Sequence, residues 1–537
     1  MTRTDERPLH TTVAQARYLV AQFEADGMVQ DLMDAVQLLR AATGHRRSAA
    51  VSSGVWAAHA ECLLRLWEVQ GGAGLLREAE EAAGRAVAHP RAVRERAVLA
   101  RVLVASAADH ERGGSRGEAL DLLRRADQEY ALACAAPALH TEDALRFALE
   151  RVRTLEEQWR LGGDVALLQS AIGMLEAFAD AWPDPRLRPP ELPLAHGRVL
   201  LRLSRATTDP EQGRHHAARA AILLDHALAR HRATYASAPT TGRSREGVRI
   251  VLDLVDALLR SGEGLGVART RLDEALEHAH EQGQRAPLLV RAGHVALARY
   301  AESRDPRDLE EAADRFGQAA RKVPRDALDH ADVLAEWGGA LLLRASAHGG
   351  APAGDLVSRT IRVLRDCRAE TALDSGALAH RLLLLGRALM LRYRIRGDRV
   401  DLREAEHLFG LGAAGATDAM SAARCWLELG QVRLEAYESL GRAPRLDAAI
   451  DAFRRAVAAA RAAEDAPETE GRRQEAVRLC AQAHHGRGIS YQAASRPRAA
   501  RDAYRAARTE WERLPEDHVD TGEPSARQTA QRLAELE

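Results

Sequence analysis

Two glycine-rich motifs and three histidine clusters are the residues of this 537-residue chain whose spacing could do chemistry. Gly113-Gly114-Ser115-Arg116-Gly117 has the G-x-S-x-G spacing of a nucleophile elbow, in which a strand-to-helix turn exposes an attacking serine. The run before it, Ala100 to Gly114, reads as a helix ending in a glycine turn, so the strand that chemistry needs is missing. Gly410-Leu411-Gly412-Ala413-Ala414-Gly415 matches G-x-G-x-x-G, but it follows a helix and falls between repeats. A dinucleotide loop must follow a strand. A Walker A loop needs Gly-Lys, and the sole lysine, Lys322, stands in Ala-Arg-Lys-Val-Pro at a helix end. No asparagine occurs, which removes a Cys-His-Asn triad and the usual kinase catalytic loop.

The histidine clusters are His215-His216, His278-Ala279-His280-Glu281 and His484-His485. Adjacent and i, i+2 spacings point side chains to different helix faces, unlike the i, i+4 pair of H-E-x-x-H. Surface or interhelical hydrogen bonding is the expected role, with no metal. The five cysteines, Cys62, Cys134, Cys367, Cys425 and Cys480, stand singly in helical stretches without a C-x-x-C pair. Small buried thiols in a reduced, cytoplasmic protein fit that pattern better than disulfides or zinc.

The elements that would have to position such groups are all helical. Hydrophobic residues make up 46% of the chain but aromatics only 4%, so Ala and Leu carry the apolar mass and favour helix packing over strands. The formal net charge of −1 argues against a whole-molecule footprint for nucleic acid. The N-terminus, MTRTDERPLH, has no apolar signal region, and no apolar run is long enough to span a bilayer.

A spacing organises the rest. Small residues recur 19 positions apart in Ala16/Ala35, Ala60/Ala79, Ala100/Ala119, Gly293/Ala312, Gly386/Ala405 and Gly430/Ala449. Four after each second member stands an apolar residue: Leu39, Ala83, Leu123, Phe316, Phe409 and Phe453. Such periodicity marks stacked repeats. Breakers such as Asp26-Gly27, Gly71-Gly72, Asp305-Pro306, Gly349-Gly350 and Gly397-Asp398 divide eleven helix-turn-helix hairpins, beginning near residues 12, 55, 96, 144, 194, 248, 287, 331, 377, 422 and 477. The expected order is an N-terminal tail (1–11), regular hairpins (12–182), degenerate hairpins with longer loops (183–286) and regular hairpins again (287–514). A polar tail and capping helix (515–537) would close the array. The breaks at 183–193 and 232–247 read as inter-hairpin loops.

In the last hairpin Gly488, Tyr491, Ala500, Tyr504 and Ala507 occupy positions 8, 11, 20, 24 and 27 of a 34-residue repeat, and Trp426-x-x-Leu429-Gly430 supplies the matching opening. The chain therefore resembles a tetratricopeptide-repeat protein, with most hairpins lengthened. The resemblance implies an all-α right-handed solenoid with an inner groove lined by first helices, the bulky residue at position 24 filling the gap to the next hairpin. The long Ala/Leu/Arg-rich hairpins look like actinobacterial arrays found next to caspase-like (CHAT) domains. No strand-bearing cysteine follows the His-Gly dipeptides at His196, His348 and His485, so the protease itself is not read here.

Carried onto this sequence, the groove positions give Arg17, Glu61, Arg101, His294, Arg387 and Gln431, with Leu297 and Met390 on a neighbouring inward row. Guanidinium groups on a partly apolar wall suit a peptide with acidic groups. The competing reading pairs those arginines with neighbouring carboxylates. The function expected is a non-enzymatic scaffold or regulatory subunit that uses no cofactor. Its partner would be a protein or peptide, with a separately encoded caspase-like protease or signalling protein, or a second copy of the chain, among the candidates. A nucleic-acid-binding solenoid and an all-α enzyme sited in the degenerate middle are the alternatives.

Overall fold

The computed structural model describes residues 7–44, 51–88, 92–135, 141–182, 188–235, 241–279, 282–327, 329–347, 353–372, 376–441, 443–465, 470–515 and 525–536. Among them are 23 helices and no strand. Gly349-Gly350, His280-Glu281, His348 and most of the 515–524 tail lie outside the described residues.

The chain divides into two compact bodies, Met1–Ala206 and Thr207–Glu537. The N-terminal body holds α1 (Arg7–Asp26), α2 (Val29–Gly44), α3 (Ser53–Gln70), α4 (Ala73–Ala86), α5 (Val93–Arg112), α6 (Arg116–Cys134), α7 (Thr141–Gly162), α8 (Val165–Asp180) and α9 (Glu191–Ala206). In the C-terminal body are α10 (Pro210–Tyr235), α11 (Thr241–Ser261), α12 (Leu265–His278), α13 (Gln282–Ser303), α14 (Pro306–Ala320), α15 (His330–Ala347) and α16 (Ala353–Ala369). There follow α17 (Leu378–Arg396), α18 (Arg399–Gly415), α19 (Ala419–Leu440), α20 (Pro444–Glu464), α21 (Glu470–Ala493), α22 (Pro497–Trp511) and α23 (Ala526–Ala534).

The turns are built as their residues dictate. Gly27, Gly163, Gly397 and Gly441 all adopt positive φ where a helix ends, the left-handed cap that an L side chain resists. After Gly397, the Asp398 carboxylate accepts the Val400 amide at 2.9 Å, so one dipeptide ends α17 and starts α18. Asp305 does the same for α14, with Pro306 just inside the helix.

Boundaries differ from expectation at the breaks. Helix α1 starts at Arg7, ahead of residue 12, because Pro8 sits in a first turn where a missing amide loses no bond. The 232–247 segment is helical through Tyr235 and again from Thr241, and 236–240 lies outside the described residues. At the first break α8 ends at Asp180 and α9 begins at Glu191, with 183–187 outside the described residues.

Within each body, first helices pack on their own second helices and also on the next first helix: α1 on α3, α3 on α5, α17 on α19 and α19 on α21. Second helices make no comparably extensive contacts with one another among the described residues. The first helices therefore form the crowded inner wall of each stack. The small and apolar repeat positions make the core, with Ala35, Leu39, Ala60, Ala79, Ala100, Ala312, Phe316, Ala405, Phe409 and Phe453 all fully buried.

Candidate functional site

In the N-terminal body the first helices α1, α3, α5 and α7 enclose a groove of about 650 Å³. Its floor is small and apolar (Ala16, Val20, Ala58, Leu64), and its walls carry charge. Three of the residues expected from the sequence, Arg17, Glu61 and Arg101, meet here.

Their states differ. Arg101 on α5 is already satisfied: its Nε donates to Glu150 Oε2 at 3.0 Å, and its Nη1 lies 3.3 Å from Glu61 Oε1. Burial opposes the Arg101 charge, but Glu150 and Glu61 outweigh it and raise its pKa. Arg101 thus ties three successive hairpins together. Arg17, exposed on α1, has no ion-pair partner among the described residues.

A fourth groove residue, Arg153 on α7, escaped the repeat pattern. It is exposed and likewise has no ion-pair partner among the described residues. Counting 19 back from Ala171 gives Val152, and the next residue is Arg153, in the register of Arg17, Glu61 and Arg101. The signal was hidden because buried Val152 replaces the small residue that marks the other hairpins.

The remaining expected residues belong to the C-terminal body. Arg387 donates through Nε to Glu428 Oε1 at 2.7 Å and lines a smaller pocket of α17, α19 and α21. His294 has Nε2 3.4 Å from Glu336 Oε2 and stands edge-on to the Phe316 ring. Leu297 and Gln431 are half-buried on α13 and α19. Met390 is only 3% exposed within the core around α17, so it offers no surface to a partner.

What decides the kind of repeat is the contact between positions 8 and 24. A Cβ on Gly293 would fall 2.6 Å from the Phe316 ring, one on Gly430 2.6 Å from Phe453, and one on Gly488 2.5 Å from Tyr504. Each ring seats on the glycine of its own hairpin, a correction to the expectation that it only fills the gap to the next. Phe453 does both, since Gly486 of the following hairpin meets it as well. The array is tetratricopeptide-like.

No protein-family model matches the chain, and no curated protein matches it. Among solved structures it is similar to the apo form of the quorum sensor NprR from B. thuringiensis, at 12% identity and a TM-score of 0.41, over 76% of this chain and 98% of that one. It is also similar to a STAND protein with a tetratricopeptide-repeat sensor from Pyrococcus horikoshii, at 13% identity and a TM-score of 0.37. That match covers 68% of this chain and 52% of the other, so the chain spans about half that protein's length. Yeast Tom70 matches at 12% identity and a TM-score of 0.32, over 93% and 99%.

The other motifs of this tetratricopeptide-like array take structural places. Ser115 lies in the turn after α5, with a helix before it. Residues 410–415 fall inside the last turns of α18, where Gly412 makes room for the Cys425 sulfur, 3.0 Å from where a Cβ would stand. Burial pushes the thiols of Cys62, Cys425 and Cys480 up to about 12, out of the reactive range. Among the described residues no cluster could hold a metal ion, and no helix is long and apolar enough to cross a membrane.

Proposed function

We propose that this chain is a non-enzymatic interaction scaffold or regulatory subunit whose N-terminal groove takes an extended peptide segment carrying acidic groups. The observation that supports the reading is the contrast within one groove. Arg101 is neutralised by Glu61 and Glu150, while Arg17 and Arg153 flank it with their guanidinium groups unspent. Between them runs an apolar floor. Two exposed forks separated by an apolar strip suit two carboxylates on either side of a small hydrophobic side chain. Five free cysteines support a reduced, cytoplasmic setting.

Affinity capture from the native host, with the wild type beside Arg17→Ala/Arg153→Ala, tests the reading, followed by direct titration of an acidic peptide from any protein recovered. A partner peptide bound by wild type and at least ~10-fold more weakly by the variant supports it. Equal binding by both moves recognition out of the groove. Co-purifying RNA, with affinity falling steeply in salt, would favour a nucleic-acid solenoid instead. A caspase-like protease or signalling protein among the captured chains would name the pathway.

A further inference from the structure

In the groove of α1, α3, α5 and α7, the two carboxylates that meet Arg101 are held very differently. Glu150, on α7, accepts Arg101 Nε at 3.0 Å with its side chain 20% exposed, and the buried Tyr130 hydroxyl faces the same pair. Glu61, on α3, has a single polar contact, Arg101 Nη1 at 3.3 Å, and its side chain is 47% exposed. We propose that Glu61 is a built-in competitor for the groove's ligand: its carboxylate holds the place on Arg101 that an acidic side chain of the bound peptide takes. The inference rests on the peptide reading of this groove and adds to it the group that the ligand must displace.

Repeat register puts Glu61 in that place. The residue after each position 8 gives Arg17, Glu61, Arg101 and Arg153, so one level of the groove carries three guanidinium groups and one carboxylate. Glu61 stands on α3, the first helix between those of Arg17 and Arg101. Beyond burial, which raises it most, the Cys62 thiol is pushed up by Glu61 and down by Arg17, so both charges stand beside it. Arg17 nevertheless has no ion-pair partner among the described residues. Glu61 therefore lies between two cations and bonds one of them, where an incoming carboxylate would settle.

The contact is weak enough to exchange. A half-exposed ion pair contributes little, because water competes for both charges and a long side chain must be held still. Glu61 has solvent to turn into, whereas Glu150 is fixed by Arg101 and Tyr130 together. When Glu61 leaves, the bond from Arg101 Nε to Glu150 stays and keeps the plane of the guanidinium aimed, so the fork is ready for another carboxylate. While Glu61 is in place, a neutral peptide finds Arg101 already neutralised, and an acidic one meets a like charge that it must push aside. That repulsion sets a threshold for entry, and a ligand clears it by bringing its own carboxylate to Arg101.

Glu61→Gln tests the proposal, since the amide keeps the volume of the side chain and removes its charge. The probe is a fluorescein-labelled acidic peptide, selected by panning a random peptide library on the full wild-type chain and titrated by fluorescence polarisation at fixed ionic strength. Glu61→Gln should bind it at least ~5-fold more tightly than wild type, with an unchanged melting temperature. Glu68→Gln removes the same charge from the same helix about 10.5 Å further along, where the carboxylate bonds Arg65 instead of Arg101. That variant should tighten binding by less than ~2-fold, because salt screens its charge over the distance. Equal tightening by the two variants would reduce the effect to net charge and overturn the proposal, as would unchanged or weaker binding by Glu61→Gln. Arg17→Ala/Arg153→Ala reports separately on the groove. If that variant binds the peptide as wild type does, or panning recovers no acidic peptide, the peptide reading falls and this inference falls with it.

Discussion

The Phe409 ring occupies the space where Gly386 would carry a side chain: a Cβ there would stand 2.5 Å from the ring. Both residues are buried, so the ring has nowhere to retreat. Gly386→Ala should therefore destabilise the C-terminal body by roughly 1–3 kcal/mol, the usual range for overpacking. The N-terminal body shows the compensated alternative, because Ala100 there is matched by Leu123 instead of an aromatic. Adding Phe409→Leu to Gly386→Ala should restore much of the loss, and a double-mutant cycle by chemical denaturation reads that coupling. Simple additivity of the two losses would show that the ring and the glycine do not act as a pair.

Much of this packing was legible in the sequence because backbone approach leaves a residue signature. Gly293, Gly386 and Gly430 each precede a phenylalanine by 23 residues, Gly488 precedes Tyr504 by 16, and a Cβ at any of the four would collide with that ring. The turns were legible for the same reason, through Gly at positive φ and Asp as a cap. The groove was only half legible. Register placed Arg17, Glu61 and Arg101 on one wall, but partner choice depends on which carboxylate the next hairpin brings alongside. Glu150, which holds Arg101, stands 49 residues away on α7. Nothing local marks that distance. Met390 misled because an inward row of a helix becomes core wherever two first helices close upon it.

A buried ion pair pins the hairpin of α17 and α18. The Asp401 carboxylate, 2% exposed, receives Arg392 Nε at 2.7 Å and Nη2 at 2.6 Å. Removing Asp401 takes both hydrogen bonds from the half-buried Arg392 guanidinium, so Asp401→Ala should cost about 1–3 kcal/mol. Arg454→Ala breaks an exposed i, i+3 pair with Asp451 and should change stability by less than ~0.5 kcal/mol. Urea unfolding of both variants checks the contrast. Equal effects would mean that the Asp401 pair is no better shielded than a surface bridge.

Acid should loosen the C-terminal end. His485 is buried, its Nδ1 lies 2.9 Å from Thr529 Oγ1 on α23, and Trp511 Nε1 donates to the same hydroxyl. Burial first, then Arg532, pushes the His485 pKa down to about 4, while burial with Arg487 and Arg461 does the same for His484. The unfolded value is about 6.5, so the unfolded chain takes up protons first as pH falls. The neutral rings' contribution is complete above pH 6.5 and is lost progressively from there toward pH 4. At pH 5 each ring should account for about 2 kcal/mol of lost stability. His485→Gln should flatten the stability profile between pH 7 and 5 by that amount relative to wild type. An unchanged slope would show that another group carries the acid sensitivity.

Arg17 and Arg101 share a repeat register and should behave oppositely when removed. Arg101 is the cation between Glu61 and Glu150, on α3 and α7, so Arg101→Ala leaves two carboxylates facing each other across the groove without it. That variant should lose about 1–3 kcal/mol, by the cost of stranding a hydrogen-bonded charged group. It should also recover part of the loss when Glu150→Gln is added, since the repulsion is then relieved. Arg17→Ala breaks no ion pair and should stay within ~0.5 kcal/mol of wild type. Thermal denaturation of the three variants decides the matter. A large loss at Arg17 would mean that its guanidinium holds the array together and is not reserved for a ligand.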